Sequence, residues 1–147
     1  MSRIPRFQEH LKTGFTAEAA SAARCRAFAV QAERDGLPNL AKNWLRMAAE
    51  KDKLAIQLLD ASEQVRGMDA DLGTAIAEER YENDVLYPKM VRDVDQDTAD
   101  VLLKVVNAQK EHLRQLESLR VSLNAAQGDV QLPAEVDRGT APSAPAS

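Results

Sequence analysis

The chain has 147 residues, a net charge of −4 and one cysteine. That length supports one domain with a real core, and the mild acidity with both signs interspersed argues against non-specific nucleic-acid binding. Cys25 alone excludes an internal disulfide, and no CxxC pair is present for a zinc ribbon or a rubredoxin-type iron site. The composition, 44% hydrophobic with few aromatics and rich in Ala, Leu, Glu, Lys, Arg and Gln, favours helix. The first residues lack the apolar run of a signal peptide, and no apolar stretch is long enough to cross a membrane. A soluble, cytoplasmic protein is expected.

Residues 1–6 read as a short N-terminal arm. A helical pattern follows from Phe7 to Arg34, with the stripe Leu11, Phe15, Glu18, Ala22, Cys25, Ala29 and Ala32. Gly36 is a C-terminal stop, and Pro38 suits the first turn of a second helix. That helix is predicted from Leu37 to Arg66. Its stripe is Leu40 or Ala41, Trp44, Met47 or Ala48, Lys51, Leu54 or Ala55, Leu58, Ala61 and Val65, and Gly67 ends it. Asp69 or Asp71 can cap a third helix, Leu72 to Val94, whose stripe is Leu72, Ile76, Glu79, Glu82, Leu86 and Met90. Asp93, Asp95 and Asp97 mark the next turn, with Asp97 as N-cap. The fourth helix is predicted from Thr98 to Ala126, with Leu102, Val105, Gln109, His112, Leu116, Leu119 and Leu123 on one face and Gly128 after it. Residues 129–147 are rich in Pro, Ala and Ser and read as a disordered tail.

The predicted fold is therefore all-α, a four-helix bundle over residues 7–128. Each stripe carries a polar side chain near its middle: Glu18, then Lys51, then Glu79 and Glu82, then Gln109 and His112. Residues three apart share a helix face, so Glu79 and Glu82 point together where the core should be. An uncompensated carboxylate there is costly. Bundle proteins place metals in such layers, using Glu side chains and Glu-x-x-His pairs. Gln109-Lys110-Glu111-His112 has that spacing with Gln in place of Glu.

These residues resemble the rubrerythrins of the ferritin-like superfamily. The resemblance covers roughly residues 10–120. It rests on Phe15-Thr16-Ala17-Glu18, Arg24, Phe28-Ala29, Gly36 and Leu40-Ala41 in the first half. In the second half it rests on Ala75-Ile76, Glu79-Arg80-Tyr81-Glu82, Tyr87-Pro88 and His112, and Glu-x-Tyr-Glu with a nearby Tyr-Pro is the most specific piece. The family's rubredoxin-like domain has no counterpart here. The resemblance implies a ferritin-like bundle in which Glu18, Glu79, Glu82 and His112 match metal ligands. Gln109 stands where the family has a ligand Glu, and Lys51 and Leu54 stand where its second helix has Glu-x-x-His.

With Lys51 supplying one positive charge, three readings stay open: a buried Lys–Glu network without metal, one Fe or Mn ion, and an intact di-iron centre. The last is disfavoured because the second helix contributes no good ligand. The corresponding functions are iron or peroxide handling, an oxidoreductase or peroxidase-like activity requiring a bound metal and an external electron donor, or a metal-free, non-catalytic dimeric scaffold. In a ferritin-like bundle the second and third helices run parallel. A second helix of about 30 residues is ~45 Å long, and a break at residues 67–70 spans at most ~14 Å. A homodimer with exchanged hairpins is therefore expected, each polar layer taking Glu18 and Lys51 from one chain and Glu79, Glu82, Gln109 and His112 from the other. Neither nucleic acid nor membrane is expected as a partner.

Overall fold

The computed structural model describes residues 6–126 and 128–132. Residues 1–5 of the predicted 1–6 arm and most of the predicted tail, from 133, lie outside the described residues, and Arg6 already belongs to the first helix. Helices α1 (Arg6–Arg34), α2 (Pro38–Ala61), α3 (Met68–Tyr81), α4 (Tyr87–Arg92) and α5 (Gln96–Ala125) account for nearly all of the rest, and no strand forms among the described residues. A five-residue π turn, Glu82–Leu86, joins α3 to α4, so the two form one helical stretch. The chain divides into two units, residues 1–66 and 67–147, each built on a helical hairpin.

Hairpin one packs α1 against α2. Gly36 adopts φ +73°, a left-handed conformation that suits glycine, and it closes α1 with Gly36 N–H donating to Glu33 and Leu37 N–H to Ala32. Pro38 opens α2 with its ring nitrogen at a position that has no intrahelical bond to lose. The packed stripes consist of small side chains: Ala22, Cys25, Ala29 and Ala32 on α1, and Ala41, Ala48 and Ala55, seven residues apart, on α2. Small residues at heptad spacing let the two backbones approach closely. Gly14 belongs to the same close approach, since a Cβ there would lie 3.1 Å from a Leu58 methyl. The choice between Leu and Ala along α2 is thereby settled. The alanines face α1, and Leu40 and Leu54 are each nearly half exposed. Trp44 covers the Ala29–Ala32–Ala41 cluster and meets Phe28 edge-to-face, with ring centroids 5.1 Å apart.

The second helix ends at Ala61, five residues before the predicted Arg66. Ser62 is buried, its hydroxyl donates to the Leu59 carbonyl at 2.6 Å, and Glu63 turns to φ 57°. A C-terminal cap built from a side-chain hydroxyl and a left-handed residue stops the helix before the glycine that the sequence offered.

Hairpin two packs α3, the π turn and α4 against α5. Ile76, Ala99 and Val106 are its buried apolar residues. The uninterrupted helix predicted over 72–94 is corrected: Pro88 has no N–H to give to the Asp84 carbonyl four residues back, and its ring crowds that carbonyl. The helix widens instead, and Tyr87 N–H donates to the Glu82 carbonyl five residues back. One extra residue in a turn rotates everything beyond it by about 100°. Leu86, expected on the core stripe, is therefore exposed, while Asn83, one turn earlier on the same face, is buried. The cap of α5 is also corrected. Asp95, not Asp97, is the N-cap, accepting from Thr98 N–H at 2.7 Å. Thr98, through its hydroxyl and then its N–H, holds the exposed Asp95 carboxyl below the ordinary aspartate range. Gly67 precedes α3 without a side-chain cap, so neither Asp69 nor Asp71 is the N-cap. No described helix is long and apolar enough to cross a membrane.

Candidate functional site

Each hairpin carries its own polar residues midway along an otherwise apolar contact. In hairpin one, Lys51 Nζ donates to Glu18 Oε2 at 3.3 Å, with both side chains about 70% shielded from solvent. Glu50, the neighbouring carboxylate, is exposed. The Lys51 ammonium therefore neutralises Glu18 directly. A shallow cleft of about 240 Å³ lies alongside, lined by Glu18, Leu54, Gln57 and Leu58. It is smaller than ordinary ligand pockets.

Hairpin two places four of the predicted residues in two pairs. Gln109 Nε2 donates to Glu82 Oε2 at 2.8 Å, and His112 Nδ1 lies 3.8 Å from Glu79 Oε1. Gln109 and His112 are three apart on α5 and Glu79 and Glu82 three apart on the facing helix, so the pairs occupy successive turns of an antiparallel contact. His112 is 58% exposed while Glu79 is 19% exposed, so the imidazole sits at the rim and the carboxylate inside. Its second oxygen, Glu79 Oε2, is buried with no hydrogen-bond partner, as is Gln109 Oε1.

Asn83 joins them. It is 5% exposed, and both its Oδ1 and its Nδ2 are buried without a partner. Native proteins leave few such atoms, and each unpaired one costs about 1–3 kcal/mol. Asn83 stands four residues after Glu79 and seven after Ile76, so a regular helix already places it on their face; the sequence reading passed over it because Glu82, three after Glu79, was given that place on the stripe. The three-four spacing Ile76, Glu79, Asn83, Leu86, Met90 is the signal that could have found it.

Among the described residues no three His, Cys, Asp or Glu side chains converge as a ready metal cage. Hairpin two nevertheless presents unsatisfied oxygens at Glu79, Asn83 and Gln109. A cation satisfies such atoms, and the two amides supply neutral oxygen donors where further carboxylates are lacking. Glu18 is set differently, because Lys51 already balances it. No protein-family model matches the chain, and no curated protein is significantly similar to it.

Proposed function

We propose that the protein is a rubrerythrin-like member of the ferritin-like superfamily whose metal site has contracted to one ion, acting in iron or peroxide handling. The observation that carries this reading is the set of buried, unpartnered polar atoms at Glu79, Asn83 and Gln109. Buried polar atoms left open fit a site that a ligand completes. Glu79 and Glu82 would hold the ion, with His112 reaching it from the rim. When bound, the ion supplies Lewis acidity and one-electron chemistry. The chain's own residues orient the carboxylates: Gln109 fixes Glu82 through its amide N–H, and the apolar contacts around Ile76 and Val106 limit access of water. Lys51 takes the place of a second cation beside Glu18. An external electron donor would complete any redox cycle.

The proposed assembly is a homodimer with exchanged hairpins. Helix α2 has 24 residues, ~36 Å in length, and the six residues from Ser62 to Gly67 reach about 21 Å when fully extended. A parallel α2 and α3 within one chain is therefore hard to connect, and exchange removes the difficulty. Light scattering should return twice the monomer mass; a monomer would sink the exchange.

A second reading has its own observation. The Lys51–Glu18 pair is complete without metal, which favours a metal-free dimeric scaffold. Anaerobic loading with Fe(II) or Mn(II) separates the two. One ion per chain, lost in Glu79→Ala, is expected; no Glu79-dependent metal leaves the scaffold.

A further inference from the structure

We propose that Asn83, presented by the π turn, is a ligand residue: its carboxamide oxygen joins Glu79 and Gln109 in an oxygen-dominated cradle for a hard divalent cation such as Mn²⁺. This rests on the single-ion reading of hairpin two and extends it to a residue that the family pattern does not assign.

Asn83 is nineteen-twentieths buried, and neither polar atom of its side chain has a partner. A buried asparagine held for structure normally satisfies its amide, because an empty one destabilises the fold. It follows Glu82 directly and stands four residues after Glu79, so Glu79 and Asn83 share a face at the junction of α3 with the π turn. The facing Gln109 offers a second buried amide oxygen, held in place by its bond to Glu82. The donors inside the hairpin are all oxygens, and the imidazole of His112 lies exposed at the edge. Carboxylate and amide oxygens suit Mn²⁺, Mg²⁺ and Ca²⁺ better than softer ions.

The test uses the full-length protein, stripped with chelator and titrated with Mn²⁺ while bound and free ion are resolved by electron paramagnetic resonance. Wild type should bind one Mn²⁺ per chain, Glu79→Gln should abolish binding, and Asn83→Leu should weaken it by about tenfold or more. In chelator, Asn83→Leu should melt higher than wild type, because it removes two unpaired polar atoms from the interior; a purely structural asparagine would give the opposite shift. Asn83→Asp, which keeps the shape and adds a charge, should tighten Mn²⁺ binding and serves if Asn83→Leu does not fold. Binding that needs Glu79 but is the same in wild type, Asn83→Leu and Asn83→Asp overturns the role of Asn83 and leaves the single-ion reading standing. Wild type that takes Fe(II) in a Glu79-dependent way but not Mn²⁺ overturns the cation class, and wild type that takes neither overturns both.

Discussion

Gln109 donates its amide N–H to Glu82 at 2.8 Å and leaves its own carbonyl oxygen buried with no donor to accept from. One side chain thus satisfies a carboxylate and stays unsatisfied itself. Gln109→Glu removes the donor and sets a second carboxylate against Glu82. In chelator this variant should be less stable by about 1–3 kcal/mol, and added Mn²⁺ should restore its melting temperature more than it raises that of wild type. Differential scanning fluorimetry with and without Mn²⁺ checks this; an equal response in both proteins counts against a cation beside Glu82.

The Lys51–Glu18 pair is partly shielded, so its worth lies near the upper end for surface ion pairs. A double-mutant cycle with Lys51→Met and Glu18→Leu should return a coupling of about 1 kcal/mol. The double variant should match wild type or exceed it, since an apolar pair needs no desolvation of charge. Urea denaturation measures all four proteins. A coupling indistinguishable from zero would mean that Lys51 does not balance Glu18 in solution.

Asp95 gives stability a pH dependence of known sign. Its folded pKa lies below the ordinary aspartate value because Thr98 hydrogen-bonds the ionised carboxylate. A depressed pKa contributes stability above the unfolded pKa, and that contribution disappears as pH falls through the folded value. Asp95→Ala should therefore lower the melting temperature by a few degrees at neutral pH. The gap from wild type should close in acid, below the range in which aspartates ordinarily titrate. A gap that persists there would assign the effect to something other than the charge.

The alanine stripe of α2 predicts a sharp positional contrast. Ala48 is 2% exposed against α1, while the adjacent Ala49 faces solvent. Ala48→Leu should destabilise by about 2 kcal/mol or more, because three added carbons have no space between closely packed backbones. Ala49→Leu should fall within about 0.5 kcal/mol of wild type. Thermal melts of both variants suffice, and equal effects would contradict the register of hairpin one.

Much of this was legible in the residue order. Periodicity marks the apolar faces of the long helices, Gly36 and Pro38 identify the first turn, and the polar residues interrupting each stripe stand out because they break a pattern. Lys51 could be separated from Glu50 by register alone, since one residue is about 100° on a helix. The end of α2 was less legible, because capping by Ser62 and Glu63 competes with a glycine a few residues later, and local hydrogen bonds decide between them. Asp95 and Asp97 are equivalent as N-caps until the backbone shows which one meets Thr98 N–H.

The amino-acid sequence by itself determined the helical class, the first turn at Gly36 and Pro38, and six polar positions interrupting the predicted stripes, because side-chain periodicity and turn chemistry are local. Only the tertiary structure decided which of those polar groups are satisfied. Lys51 closes on Glu18, Gln109 closes on Glu82, and Glu79 retains an open oxygen, as distances between helices dictate and spacing along the chain does not. It also decided the place of Asn83. Spacing puts Asn83 on the face of Glu79, but only the packing shows that it is the buried amide of the candidate site while Leu86, at the end of the π turn, is exposed.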